Sequence, residues 1–85
     1  MHAAGLTKLM EECGELIQVC AKKSAYFDVD IHPDGNSLTA KMEEELADVF
    51  AAGAFVMGKF KLDEKKIEQR IIMKLARFRT WDREP

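Results

Sequence analysis

Apolar residues recur at helical spacing in three separate stretches of the sequence, and this periodicity constrains the fold more than any other feature. In the first stretch, from about residue 4 to 25, the apolar residues are Leu6, Leu9, Met10, Cys13, Leu16, Ile17 and Cys20. Spacings of three and four place such side chains on one face of an α-helix. No stretch alternates apolar and polar residues as a half-buried strand does. The pattern therefore predicts an all-α protein.

Turn formers and capping residues delimit the other two helices. Residues 26–37 are rich in Asp, Asn, Gly and Pro, which predicts a loop. Ser37 or Thr39 can cap a second helix that continues to about residue 60. Its apolar stripe consists of Leu38, Met42, Leu46, Val49, Gly53, Val56 and Phe60. Asp63 can cap a third helix, which ends before Pro85 and carries the stripe Ile67, Ile71, Leu75 and Phe78.

The length of the chain indicates how these helices assemble. With 85 residues, it lies near the lower size at which one core holds a fold, and we expect a single domain over residues 1–85. The first two helices should pair as an antiparallel hairpin through their apolar faces. Residues 51–57 are apolar nearly all round the second helix, which is more than one short chain can cover. We therefore expect a homodimer or homotetramer with a four-helix-bundle-like core.

Charge and cysteine usage argue against several classes of protein. Thirteen basic and fifteen acidic residues give a formal net charge of −2, so no global basic field recruits nucleic acid. No run approaches the ~20 apolar residues of a membrane span, and the N-terminus lacks the pattern of a secretion signal. Cys13 and Cys20 lie about 10 Å apart along one helix and cannot bridge each other. Interpreted as reduced, buried thiols, they favour a cytoplasmic protein.

Four carboxylates occupy positions that ordinary surface charges rarely take. Glu12 and Glu15 are three residues apart beside the apolar face of the first helix. Glu45 lies within the apolar stripe of the second helix, and Asp48 lies about 60° away on its flank. At an effective dielectric constant of about 20, like charges about 4 Å apart repel by about 4 kcal/mol, so a hairpin that joins the two pairs needs cations or must protonate. Oxygen ligands without histidine favour Mg²⁺ or Mn²⁺ over Zn²⁺.

An alternative interpretation treats the glutamates as ordinary solvated charges that pair with Lys8, Lys22 and Lys41. It suits Glu11, Glu43 and Glu44, which project toward solvent. For the other four acids, a position on or beside an apolar stripe favours metal ligation.

These acids also carry a resemblance to a known family. Residues 11–16, Glu-Glu-Cys-Gly-Glu-Leu, and 45–49, Glu-Leu-Ala-Asp-Val, resemble the EExxE and ExxD motifs of the all-α nucleotide pyrophosphohydrolases, which include the MazG-like enzymes. The resemblance covers the first two helices, and the third matches only loosely. It implies Mg²⁺-dependent hydrolysis of nucleoside or deoxynucleoside triphosphates to the monophosphate and pyrophosphate, by dimers or dimers of dimers. It also implies that Mg²⁺ is coordinated by Glu12, Glu15, Glu45 and Asp48, with Glu11 assisting or orienting a metal-bound water.

The third helix carries candidate substrate-binding residues. One line along it, bordering the apolar stripe, consists of Arg70, Lys74, Arg77 and Trp81. The sequence has no P-loop, so cations on this line are expected to offset the charge of a triphosphate. The alternative is that their stems cover the edge of the core while their charges reach water.

Two functions of other classes stay open. A non-catalytic, oligomeric helical interaction module with a structural divalent-metal site would account for the helices, although it does not require four acids to converge. Nucleic-acid binding through the third helix is disfavoured by the net acidity and by Glu64 and Glu68. In the loop, Tyr26, Phe27 and His32 are candidates for contact with a base, and the first two equally suit a hydrophobic plug over the helix ends. The preferred base and sugar stay open.

Overall fold

Three α-helices form the part of the chain that the computed structural model describes, residues 4–83. Helix α1 spans Ala4–Ala25, α2 spans Leu38–Lys59 and α3 spans Glu64–Arg83. No strand occurs in these residues, and the prediction of an all-α protein is confirmed. No helix within residues 4–83 combines the length and the apolarity that crossing a membrane requires.

Side-chain caps explain where α2 and α3 begin. Of the two candidate caps for α2, the structure uses Ser37, whose hydroxyl accepts a hydrogen bond of 3.1 Å from the Ala40 amide. Asp63 caps α3 by accepting a hydrogen bond of 3.1 Å from the Lys66 amide. Between them, Lys61 adopts a positive φ of 53°, and this left-handed residue ends α2 and turns the chain toward α3.

Helices α1 and α2 pack against each other as an antiparallel hairpin. Near the start of α1, a Cβ on Gly5 would lie 3.0 Å from the Phe55 ring, so the absence of a side chain lets the end of α2 approach closely. At the other end, Val19 and Lys22 of α1 face Lys41 of α2 across one hollow. The buried apolar residues of the described chain are Val19, Leu38, Ala52 and Val56.

The loop between α1 and α2 is held by two aspartates. Asp30 accepts hydrogen bonds of 2.8 Å from the Ser37 hydroxyl and from the Thr39 amide, so it fixes the start of α2. Asp34 accepts a hydrogen bond of 3.0 Å from the Asn36 amide, and Gly35 between them has a φ of 91°. A positive φ of this size suits glycine, which has no Cβ. The predicted loop is therefore an ordered connection.

The hairpin buries a different face of α1 from the one that its apolar residues predict. Glu12 and Val19 are buried toward α2, whereas Met10 and Ile17 are 67% and 68% exposed. Successive residues on a helix lie about 100° apart, so the face against α2 is turned by roughly one residue from the centre of the apolar face. The expectation of two buried thiols was wrong for the single chain, because Cys13 is half-buried and Cys20 is exposed.

Helix α3 stands largely apart from the hairpin. In residues 4–83 the extensive contact between helices is that of α1 with α2. The molecule measures 41 × 35 × 14 Å, which is about the thickness of one layer of helices, since a helix with its side chains is about 10–12 Å across. The apolar stripe of α3 forms a helix face as predicted, but Ile71, Leu75 and Phe78 are exposed.

Candidate metal centre

The hairpin brings together the four carboxylates that the sequence analysis identified as candidate metal ligands. Each of them, Glu12, Glu15, Glu45 and Asp48, offers one oxygen that lies within 4.8 Å of the oxygens offered by the others. The spacing of three residues puts both acids of a pair on one side of their helix. Because the acid pairs of α1 and α2 meet at the same height in the hairpin, they form one cluster, which we call the acid cluster.

Two of these carboxylates are buried without adequate partners. Glu12 and Glu45 are only 8% and 7% exposed. The Oε2 atom of each is buried and has no hydrogen-bond partner among the described residues, 4–83. Buried polar groups normally have partners, because losing water without replacing its hydrogen bonds costs free energy. A cation beside these two oxygens would compensate for the lost hydrogen bonds.

The electrostatic environment of Glu45 also favours a cation beside it. Loss of solvation raises the pKa of Glu45 above its ordinary value, and the nearby charge of Glu15, a hydrogen bond with it and the charge of Asp48 add to the effect. The ionised cluster is thus unfavourable by itself. A divalent cation among the four oxygens would relieve the repulsion, and an all-carboxylate donor set suits Mg²⁺ or Mn²⁺.

Lys8 links the acid cluster to Glu11. Its Nζ atom lies 3.5 Å from an oxygen of Glu11 and 3.5 Å from Oε1 of Glu12. These two carboxylates raise the pKa of Lys8, chiefly through the charge of Glu11. Glu11 itself is exposed and lies outside the group of converging oxygens, and its assisting role stays a prediction. The sequence analysis predicted only a surface ion pair for Lys8. Its position four residues before Glu12 is nevertheless the spacing at which two side chains of a helix meet.

Two hollows adjoin the acid cluster, and both are lined by Asp48. One, of about 340 Å³, lies toward the start of α1 and the end of α2, and we call it the tail-side hollow. The other, of about 450 Å³, lies toward the connecting loop, and we call it the loop-side hollow. The tail-side hollow is lined by Lys8, Glu12, Asp48, Ala51 and Ala52. The loop-side hollow is lined by Glu15, Gln18, Val19, Lys22, Lys41, Glu44, Glu45 and Asp48.

The candidate substrate-binding residues of α3 do not line either hollow. Arg70 lines a separate, largely apolar hollow of about 550 Å³ together with Ile67 and Ile71. The Nζ atom of Lys74 lies 5.7 Å from the centre of the Phe78 ring, and that ring lies 5.2 Å from the ring of Trp81. Arg77, like Trp81, is exposed. Their role in binding phosphate stays a prediction, and in the single chain α3 would have to approach the hairpin to fulfil it.

The loop aromatics adopt different environments. The rings of Tyr26 and His32 meet edge to face at 5.0 Å. Phe27 is 75% exposed and therefore does not plug the helix ends in the single chain.

Fold and site together define an all-α protein with a carboxylate centre suited to a divalent cation. A family model described as the MazG nucleotide pyrophosphohydrolase domain matches residues 1–79, and the chain belongs to this family. The resemblance drawn from the acidic motifs is confirmed. Searches of curated proteins and of solved structures gave no match.

Proposed function

We propose that the protein is a Mg²⁺-dependent hydrolase that converts nucleoside or deoxynucleoside triphosphates into the monophosphate and pyrophosphate. Membership of the MazG family supports the pyrophosphohydrolase activity and a nucleotide as substrate. The observation that carries the proposal is the pair of buried, unpartnered oxygens on Glu12 and Glu45, which converge with the oxygens of Glu15 and Asp48. We propose that these four residues hold the metal, with Mn²⁺ as a substitute.

The chemistry of the site follows from this ligand set. A divalent cation held there would supply positive charge to offset the phosphate oxygens and would lower the pKa of the water molecule that attacks the substrate. In this proposal the carboxylates hold that cation, and the exposed Glu11, which shares Lys8 with Glu12, assists or orients the attacking water. The bond between the α- and β-phosphates breaks, and the pyrophosphate leaves. The whole chain, residues 1–85, acts as one domain in a cytoplasmic homo-oligomer.

A substrate screen tests the proposed activity. We expect pyrophosphate release from at least one of the common ribonucleoside or deoxyribonucleoside triphosphates when Mg²⁺ is present, and no release in excess chelator. The monophosphate should form in equal amount. Release of orthophosphate instead of pyrophosphate would contradict the proposed reaction.

The exposed apolar surface favours a second candidate, the non-catalytic interaction module with a structural metal. A chelator titration separates the two candidates, because removing a structural metal chiefly lowers the melting temperature, whereas removing a catalytic metal chiefly lowers turnover. A large fall in melting temperature, together with no hydrolysis of any triphosphate in Mg²⁺, would favour the interaction module.

A further inference from the structure

The two hollows lie in opposite directions along the hairpin from the acid cluster. The tail-side hollow uses Lys8, which precedes the metal-binding acids in α1, and Ala51 and Ala52, which follow them in α2. The loop-side hollow uses Lys22 and Lys41, which lie on the other side of the cluster in each helix. A substrate whose scissile bond lies at the cluster therefore has one hollow for each of its two ends.

The loop-side hollow has the chemistry to hold phosphate. Lys22 and Lys41 line it from different helices, and Gln18 adds an amide. The side chains of Lys22 and Lys41 are 48% and 45% exposed, and each makes an ion pair of 3.4 Å, to Asp34 and to Glu44 respectively. Such exposed ion pairs are weak, and phosphate oxygens can replace them. Carboxylates outnumber lysines around this hollow, so phosphate should bind there only together with the divalent cation.

The tail-side hollow has a different chemistry. Ala51 and Ala52 give it a largely apolar wall with small side chains, which leaves room for a flat ring. Its lysine, Lys8, is already held by two carboxylates, Glu11 and Glu12. An uncharged nucleoside therefore suits this hollow better than a polyphosphate does.

From this asymmetry we infer that the substrate lies along the hairpin in one direction. The departing pyrophosphate occupies the loop-side hollow between Lys22 and Lys41, and the nucleoside occupies the tail-side hollow against Ala51. This inference rests on the proposed function and adds the orientation of the substrate and the residues that recognise each part. The phosphate-binding lysines then come from the hairpin itself.

Calorimetric titration of the two products, in the presence of Mg²⁺, tests the orientation. In the double variant Lys22→Met, Lys41→Met, we expect the affinity for pyrophosphate to fall roughly tenfold or more, because charge-assisted contacts are lost. The affinity for the nucleoside monophosphate and the direct binding of Mn²⁺ should stay close to those of the unmodified protein. In Ala51→Leu, the monophosphate should bind more weakly while pyrophosphate binds as before.

Two controls separate this loss from damage to the fold. Asp34→Asn breaks the ion pair of Lys22 and keeps the lysine, so pyrophosphate affinity should be retained or raised. Lys65→Met removes one lysine charge on α3, outside both hollows, and should leave both affinities unchanged.

The possible outcomes distinguish a failure of the inferred orientation from a failure of the proposed function. If the double variant loses monophosphate binding and keeps pyrophosphate binding, the orientation is reversed and the inference is wrong. If triphosphates are hydrolysed but none of these variants changes either affinity, the inference fails while the proposed function stands. If the unmodified protein neither hydrolyses triphosphates nor binds either product with Mg²⁺, both fail.

Discussion

Glu45 is a carboxylate at a position that favours an apolar side chain. It lies on the face of α2 that packs on α1, at a position where an apolar side chain would bury without penalty. Its Oε2 atom has no partner, and its neighbours in the acid cluster are also acids. Replacing its charge should therefore affect stability and catalysis in opposite directions.

We predict that Glu45→Gln abolishes Mg²⁺-dependent hydrolysis and leaves the metal-free protein as stable as before or more stable. The amide keeps the shape of the side chain and removes one of the repelling charges. Thermal melting in chelator and turnover in Mg²⁺ would measure the two effects. Glu43→Gln is the matched control, because Glu43 is an exposed glutamate of the same helix and should change neither. Near-normal turnover in Glu45→Gln would overturn the assignment of this ligand.

The four acids of the acid cluster could be predicted from the sequence as candidate ligands because their positions follow from helical geometry alone. A carboxylate inside an apolar stripe, as at Glu45, is anomalous whichever partner the helix has. The phosphate-binding roles proposed for Lys22 and Lys41 could not be predicted in this way. They depend on which residues of the other helix stand opposite them, and that is set by packing between the helices.

At the scale of the secondary-structure elements, the loop of residues 26–37 contains a carboxyl group with a lowered pKa. The Asn36 amide, which donates a hydrogen bond to Asp34, lowers the pKa of that carboxyl from 3.8 to about 2, and His32 and Lys22 contribute further. A lowered pKa means that the ionised form is favoured by the folded loop. Its stabilising effect is therefore complete above the ordinary pKa and is lost as the pH falls toward about 2.

We predict that the Asp34 carboxyl titrates with a midpoint near 2, well below the 3.8 of a free aspartate. Carbon-13 NMR of the side-chain carboxyl measures this midpoint directly. Removing the accepting charge by Asp34→Asn should shift the Asn36 amide resonance, whereas Asp28→Asn, a change at another exposed aspartate of the loop, should not. A midpoint near 4 for Asp34 would show that the Asn36 hydrogen bond is absent in solution.

The helices themselves differ in how far the sequence predicts them. Their ends depend on local signals, such as the caps at Ser37 and Asp63, and the predicted bounds agree closely with the structure. The prediction of the face that α1 presents to α2 was wrong. An apolar face indicates that some surface covers it, but it does not indicate which surface that is. Helix α3 is the stronger case, since its stripe predicts the helix but the hairpin leaves most of that stripe uncovered in residues 4–83.

On the scale of the whole molecule, the single chain exposes more surface than a compact protein of its size. Its accessible surface is 6835 Å² at a mass of 9.7 kDa, whereas a compact monomer of this mass would expose about 5,100 Å². The radius of gyration is 15.5 Å, against about 12 Å for a compact domain of 85 residues. An excess of about 1,700 Å² per chain falls in the range that obligate homodimers bury.

We therefore predict a homodimer or homotetramer whose bundle-like core includes the exposed apolar residues of the hairpin. Light scattering should give a mass of two or four times 9.7 kDa. Phe50→Glu should shift the protein toward the monomer, because Phe50 is 71% exposed on α2 and its burial drives the association. Phe27→Glu, at a loop residue that is 75% exposed, is the matched control and should not change the mass. A stable, active monomer at micromolar concentration would contradict the prediction.

The hydrogen bonds by which Asp30 fixes the start of α2 also affect how the chain folds. Its hydrogen bonds to Ser37 and Thr39 span only seven and nine residues, so they can form without distant parts of the chain. Loops of this length close in well under a microsecond, and domains rich in local contacts fold quickly. During synthesis, the turn that begins α2 can therefore form before the rest of α2 has been made.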